Sequence, residues 1–318
     1  KYLAYLDGVR DEIKRKCKEQ SDILIENIVA PDECANRIAE EKSNLWERAN
    51  GQSDFLRLRL GIGNLELDAD VKYPEKKFTL DDDTLQDAML SLGAEPKKLN
   101  NVPISVSLIE NTTIGIYGSY SQTSNMVKSL ILQTIALHSY DELKVILITD
   151  SENEKEWNFI KYIPHFWNDD KSIRFFATNA DEVKELSAFM DKSLLSRTES
   201  GNQEYFDFSP YYIVISTSKQ LSEKCEALQQ LLRYKTNCGF SMLFVAPELK
   251  DLPKETKLVI SLSDESSRMF DRDDTTGNGI AFVPEKINEV AVDNLSQDIA
   301  NIELDLSSKS YLLPSMIT

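Results

Sequence analysis

The stretch around residue 118 constrains the fold of this chain more than any other part of its sequence. Residues 114–118 (IGIYG) have the pattern of a short buried strand, and residues 122–138 have the pattern of a helix. A glycine that ends such a strand and opens a loop into a helix is typical of the phosphate-binding loop G-x-x-x-x-G-K-[ST]. The sequence therefore predicts the strand–loop–helix unit of an ATPase-like domain.

The residues that carry the chemistry of that loop are replaced here. The first glycine is kept as Gly118, but Thr123 stands at the second glycine, Ser124 at the lysine and Asn125 at the hydroxyl position. The lysine and the hydroxyl are the groups that reach the phosphates and Mg²⁺. We therefore expect no catalytic residue, no metal and no cofactor at this loop. Weak anion binding by the helix N-terminus stays open.

The acid site that accompanies such a loop is also degenerate. It normally follows an apolar strand, where an Asp holds Mg²⁺ and a Glu activates water. The apolar strand at 211–215 runs instead into Ser216 and Thr217, which have no carboxylate. Asp150 follows the strand at 144–149, and we interpret it as the residue that begins a turn.

Composition excludes several classes of function. The net charge of −17 opposes direct binding of nucleic acid, because phosphate contacts need a basic surface. The four cysteines are widely spaced and there are only two histidines, which argues against a disulfide framework or a metal site. His165 lies among aromatic residues and is interpreted as a packed side chain. Without a run of ~18 apolar residues, the chain is expected to be soluble.

We predict three parts. Residues 1–50 form a helical stalk, 51–101 a β-rich and helical lead-in packed on the core, and 102–318 a degenerate phosphate-loop α/β domain. In the stalk, apolar residues spaced by three and four predict a first helix. A second helix is predicted after Pro31, with Ile38, Leu45 and Trp46 on one side.

Residues 1–20 contain six basic and four acidic side chains, a net charge of +2. Such a segment suits the cytoplasmic face of a membrane, although an ordinary solvated helix explains it equally well. In the lead-in, Gly61 and Gly63 are interpreted as a turn that ends a strand beginning at Phe55. Asp81–Asp83 are interpreted as a helix N-terminus, and Gly93 as the end of that helix.

From residue 102 strands and helices alternate, and several strands are continuously apolar. This pattern predicts an α/β fold with a mainly parallel sheet flanked by helices. The predicted strands are 103–108, 113–118, 143–149, 172–177, 211–216, 240–246, 257–262 and 279–283. The predicted helices are 122–138, 153–160, 180–195, 219–235 and 286–299.

Several strings of residues resemble one family. They are Asn44–Arg48 (NLWER), Asp54–Gly63 (DFLRLRLGIG), Ile114–Gly118 (IGIYG) and Leu137–Leu143 (LHSYDEL). Their order is similar to that of the membrane-anchored FtsK/SpoIIIE-type ATPases of type VII secretion, the EssC/YukB/EccC family. The resemblance covers essentially the whole chain and implies a RecA/FtsK-like fold. It corresponds to the first cytoplasmic module, between the transmembrane helices and the tandem ATPase domains.

The resemblance also implies a role. It implies a non-catalytic, ATPase-like module at the cytoplasmic face of the membrane, while ATP and Mg²⁺ bind in the downstream modules. The implied partners are those downstream domains, other membrane components of the secretion system and, in the full assembly, a homo-hexamer. An alternative is a regulatory domain that binds ATP weakly without hydrolysis. DNA translocation rests on the resemblance to FtsK alone, and the charge opposes it.

Overall fold

A single mixed sheet organises the fold. The computed structural model describes residues 2–69, 84–95, 97–198, 204, 207–274, 276–287 and 289–304. Its strands are β1 (Arg57–Glu66), β2 (Lys98–Ser107), β3 (Thr113–Tyr117), β4 (Leu143–Ile148), β5 (Phe176–Ala177), β6 (Tyr211–Ser216), β7 (Phe240–Ala246), β8 (Leu258–Ser261), β9 (Ser267–Asp271) and β10 (Ile280–Pro284). They follow the order β2-β1-β10-β9-β8-β3-β7-β6-β4-β5.

The half of the sheet from β8 to β5 is parallel. Every residue of β4 and β6 is buried, as expected when helices cover both faces of a sheet. The helices are α1 (Tyr2–Asn27), α2 (Pro31–Ala39), α3 (Thr84–Ala94), α4 (Tyr120–Leu137), α5 (Ala180–Thr198), α6 (Lys219–Lys224), α7 (Glu226–Leu231) and α8 (Glu289–Asn301). One core contains side chains of α2, α4 and α8, and the other contains those of α5, α6 and α7. The predicted α/β class is confirmed.

The other half of the sheet, from β2 to β9, is antiparallel. The prediction of a turn at Gly61 and Gly63 is wrong, because both residues lie inside β1. A Cβ at Gly61 would stand 2.1 Å from the carbonyl oxygen of Val283, and one at Gly63 would stand 2.5 Å from that of Ala281. These glycines let β10 approach β1 closely.

Several predicted boundaries are corrected. The helix predicted at 153–160 covers residues 151–162 and is a 3₁₀ helix. The helix predicted at 219–235 divides at Cys225, whose backbone is extended. The strand predicted at 172–177 keeps only residues 176–177, and the last helix covers 289–301.

Two further corrections concern helix ends. Helix α2 ends at Ala39, so Leu45 and Trp46 lie beyond it, and α3 continues past Gly93 to Ala94. The N-terminus predicted at Asp81–Asp83 lies outside the described residues. The division at residues 50 and 101 stays a prediction, while β1 and β2 belong to the same sheet as β3 to β10.

The segment after α2 seals the C-terminal end of α4. The backbone N–H of Trp46 donates to the carbonyl of Ala136 at 3.0 Å, and its indole N–H donates to that of Ile135 at 2.8 Å. The N–H of Arg48 donates to the carbonyl of Leu137 at 3.0 Å. The last carbonyls of a helix lack partners within the helix. The NLWER string is therefore a cap for α4.

Arg48 extends this cap to α1 and β1. Its side chain is 2% exposed and donates to the carbonyl oxygens of Asn27 at 2.7 Å and Arg57 at 2.6 Å. It also pairs with the carboxylate of Asp54 at 3.2 Å. Burial lowers the pKa of this guanidinium, and Asp54 counteracts that effect. The N-terminal helices are thus joined to the sheet by a buried cation.

Candidate phosphate-loop site

The connection between β3 and α4 is much shorter than a phosphate loop. Strand β3 ends at Tyr117 and α4 begins at Tyr120, so only Gly118 and Ser119 lie between them. The predicted helix start at residue 122 is therefore wrong. Residues 120–122, which belong to the loop in a phosphate-binding motif, form the first turn of the helix instead.

A capping box accounts for the early start of α4. The hydroxyl of Ser119 accepts the N–H of Gln122 at 3.4 Å, and the side-chain oxygen of Gln122 accepts the N–H of Ser119 at 3.2 Å. The pattern S-x-x-Q is a known signature of a helix N-terminus. Ser119 and Gln122, three positions apart, are therefore a sequence signal for the early start of α4.

The three replaced residues of the motif lie in the body of α4. The hydroxyl of Thr123 donates to the carbonyls of Ser119 and Tyr120, both at 3.1 Å. The hydroxyl of Ser124 faces the carbonyl of Ser121 at 3.4 Å. The side-chain oxygen of Asn125 is buried and has no hydrogen-bond partner among the described residues. None of these contacts forms a phosphate cradle.

The turn between β8 and β9 closes over the connection. A Cβ at Gly118 would stand 2.9 Å from the carbonyl oxygen of Leu262, so only glycine fits there. Beside it, the side-chain amide of Gln122 donates to the carboxylate of Asp264 at 2.6 Å. A carboxylate is thereby held next to the positive end of α4, where a phosphate would otherwise bind. Its charge would repel a nucleotide.

A second carboxylate lies against the first turns of α4. Glu156, from the 3₁₀ helix, accepts hydrogen bonds from the hydroxyl of Tyr120 and from Nζ of Lys128, the latter at 2.9 Å. Burial acts to raise the pKa of Glu156, but these hydrogen bonds outweigh it and hold the pKa below its usual value. Lys128 of α4 therefore has an internal counterion.

The structure places the residues of the predicted acid site in a hydrogen-bonded cluster. The hydroxyl of Ser216 donates to the carbonyl of Ser218 at 3.1 Å, and that of Thr217 donates to the hydroxyl of Thr149 at 2.7 Å. Asp150 accepts the hydroxyl of Ser218 at 2.6 Å, and Ser218 in turn caps α6. Asp150 therefore joins the ends of β4 and β6.

The two sites share one edge of the sheet. Strand β7 lies between β3 and β6, so about 10 Å separates the ends of those two strands. Within the ranges that the structure describes, no group of three or more His, Cys, Asp or Glu side chains is placed to hold a metal ion. None of the described helices has the length and apolarity needed to cross a membrane.

The central parallel sheet with helices on both faces is an α/β fold of the kind found in ATPase domains. Among solved structures, the fold is similar to the cytoplasmic domain of the type VII secretion ATPase EccC from Thermomonospora curvata, with a TM-score of 0.54 and 14% identity over 81% of this chain and 32% of that one. It is also similar to EssC (ATPases 2 and 3) from Geobacillus thermodenitrificans, with a TM-score of 0.52 and 12% identity over 81% of this chain and 50% of that one.

Sequence comparison finds relatives of this chain among secretion proteins. The chain is 24% identical to the ESX secretion system protein YukB of Bacillus subtilis over 251 residues, which are 79% of this chain and 17% of YukB. It is 22% identical to the type VII secretion system protein EssC of Staphylococcus aureus over an alignment of 322 positions, which covers 100% of this chain and 22% of EssC. No protein-family model matches the chain.

The chain is thus a homologue of the type VII secretion ATPases named EssC, YukB and EccC. This confirms the resemblance to these secretion proteins that the sequence predicted. The chain spans about a fifth of the length of these curated relatives.

Proposed function

We propose that this chain is a non-catalytic, ATPase-like module of a type VII secretion motor. The observation that carries the proposal is the first turn of α4, which is closed by its own capping box and faces the carboxylate of Asp264. A module with this site contributes a rigid body for assembly and force transmission rather than hydrolysis. The similarity of the chain to proteins of type VII secretion systems supports a role in such a system.

In this proposal the module stands between the membrane segments of a longer protein and its downstream ATPase domains, at the cytoplasmic face of the membrane. Helix α1 and the cap formed by Trp46 and Arg48 supply the connection to the membrane side. Its partners are the downstream domains, other membrane components of the secretion system and further copies in a hexamer. ATP and Mg²⁺ bind in the downstream domains and not here.

Calorimetric titration with ATP and Mg²⁺ tests the non-catalytic assignment. We expect no binding heat at millimolar nucleotide. The double variant Ser124→Lys/Asn125→Thr restores the two chemical groups of the motif, and we expect it to bind no better, because residues 120–122 remain helical. Micromolar binding by the natural sequence would contradict the proposal.

The alternative is a regulatory domain that binds ATP without hydrolysis. The unpartnered side-chain oxygen of Asn125 is the observation that bears on it. This atom is an acceptor and therefore suits a donor or a cation rather than a phosphate oxygen. Tight binding would also be surprising without the lysine and the Mg²⁺ ligand, whose charge-assisted contacts are the strong ones. Binding that requires Asn125, seen as its loss in Asn125→Ala, would favour this alternative.

A further inference from the structure

A groove lined by lysines lies between the 3₁₀ helix at 151–162 and α8. Its cavity has a volume of about 440 Å³. We call it the lysine groove, and its described lining residues are Lys128, Lys155, Glu156, Asn158, Phe159, Lys161, Tyr162, Val292, Ser296 and Gln297.

The charge of the lysine groove is opposite to that of the whole protein. The chain has 53 acidic and 36 basic residues, whereas the described lining has three lysines and one glutamate. Lys128 and Glu156 form an ion pair with each other at 2.9 Å. Lys155 and Lys161 are exposed and form no ion pair with any described residue. The groove therefore presents two lysine side chains that no ion pair within the described residues engages.

The 3₁₀ geometry sets the spacing of these charges. Side chains three residues apart eclipse one another in a 3₁₀ helix, which places Lys155, Asn158 and Lys161 in one row. With a rise of ~2.0 Å per residue, the two lysines are about 12 Å apart along the helix. Four residues of extended chain span ~13 Å. The row therefore matches an extended peptide whose acidic residues are four positions apart.

An aromatic side chain adjoins the row. Tyr162 is 54% exposed, and Nζ of Lys161 lies 5.0 Å from the centre of its ring. An exposed aromatic ring beside a cation suits a polypeptide, which presents apolar side chains together with carboxylates. A phosphate group is better matched by several donors that converge on one point, and the two lysines are spread along the groove instead.

From this arrangement we propose that the lysine groove binds an extended acidic segment of a partner protein. Carboxylates of the segment pair with Lys155 and Lys161, and a side chain of the segment that lies just beyond Lys161 contacts Tyr162. On a surface that is otherwise acidic, such a groove also selects the orientation of its partner, because other faces of the protein repel the segment. The proposal does not depend on whether the phosphate-loop site binds nucleotide.

Fluorescence anisotropy with a defined probe tests the proposal. The probe is a fluorescein-labelled nine-residue peptide with Glu at its first, fifth and ninth positions, Tyr at its third, and Gly or Ser elsewhere. We expect saturable binding at low salt that weakens as ionic strength rises, since exposed charge pairs are screened. The same peptide with Gln in place of Glu should not bind. Absence of saturable binding by the natural protein at low salt would overturn the proposal.

Two matched double variants distinguish binding in the lysine groove from attraction to the net charge of the protein. Lys155→Glu/Lys161→Glu should weaken probe binding at least about tenfold, which corresponds to ~1.4 kcal/mol. Lys184→Glu/Lys192→Glu makes the same change of charge at two exposed lysines on α5, and we expect less than a twofold effect. Equal weakening by both pairs would overturn the proposal, because it would show attraction to net charge alone.

Two further measurements test whether the loss of binding has another cause. The neutral pair Lys155→Gln/Lys161→Gln should also lose the probe, and unchanged thermal unfolding would show that the loss does not come from misfolding. Pyrophosphate is added as a competitor. If it displaces the probe more effectively than unlabelled peptide does, the groove is a phosphate site and the proposal is wrong.

Discussion

The two histidines predict a steep loss of stability in mild acid. His138 and His165 are both fully buried. Nε2 of His138 accepts the N–H of Leu56 at 3.0 Å, and Nε2 of His165 lies 2.8 Å from the carbonyl oxygen of His138. Burial lowers the pKa of each imidazole to about 3. Both rings are therefore neutral in the folded protein throughout the physiological range.

The sign of the effect follows from linkage. In the unfolded chain a histidine has a pKa near ~6.5, so below that pH the unfolded state takes up protons that the folded state does not bind. Folding stability is therefore complete above pH ~6.5, falls as the pH decreases and levels off near the folded pKa of about 3. At pH ~5 each histidine contributes a loss of about 2 kcal/mol. Together the losses are a large fraction of the 5–15 kcal/mol of a typical domain.

Urea unfolding of the natural protein and of His165→Gln between pH ~7 and ~5 measures this effect. Carboxylates titrate in both proteins and cancel in the difference. We expect the variant to be less stable at neutral pH and to lose about 2 kcal/mol less than the natural protein over that interval. Stability curves that run parallel for the two proteins would refute the reasoning. Proton NMR of the native imidazoles offers a direct check, because neither ring should titrate above pH ~5.

The remaining predictions concern packing and capping, and urea unfolding at neutral pH measures each of them. Gly61→Ala should destabilise the protein by at least ~2 kcal/mol, because the new Cβ would stand 2.1 Å from the carbonyl oxygen of Val283. Gly8→Ala, with nothing within 4 Å of its Cβ, should be neutral or slightly stabilising. Arg48→Leu should cost about 3–5 kcal/mol, since Asp54 and two carbonyls lose their partner. Ser119→Ala should cost about 1 kcal/mol through loss of the cap. A change below ~0.5 kcal/mol in either Gly61→Ala or Arg48→Leu would contradict these contacts.

The fold class can be predicted from the sequence, because strands that are buried on both faces of a sheet are continuously apolar. The strands at 143–148 and 211–216 are continuously apolar except at Lys144 and Ser216, and the structure buries them on both sides. A turn is predicted wrongly at Gly61 and Gly63, because the close approach of β10 depends on residues more than 200 positions away. Local sequence does not encode such a contact.

Part of the candidate site can likewise be predicted from the sequence, and part of it depends on contacts between distant residues. The loss of the lysine and hydroxyl positions at Ser124 and Asn125 is visible in the sequence. The contact of Gln122 with Asp264 joins residues 142 positions apart, so only the folded chain shows that a carboxylate stands at the helix end. The early start of α4 was predictable from Ser119 and Gln122 alone.

Helix α4 is held at both of its ends. At its C-terminal end, Trp46 and Arg48 occupy the carbonyls of the last turn, and at its N-terminal end Gln122 is bonded to the turn between β8 and β9. Its 18 residues form a rod about 27 Å long. Through this rod the segment that follows α2 is physically connected to the turn between β8 and β9, at the opposite ends of the central strands.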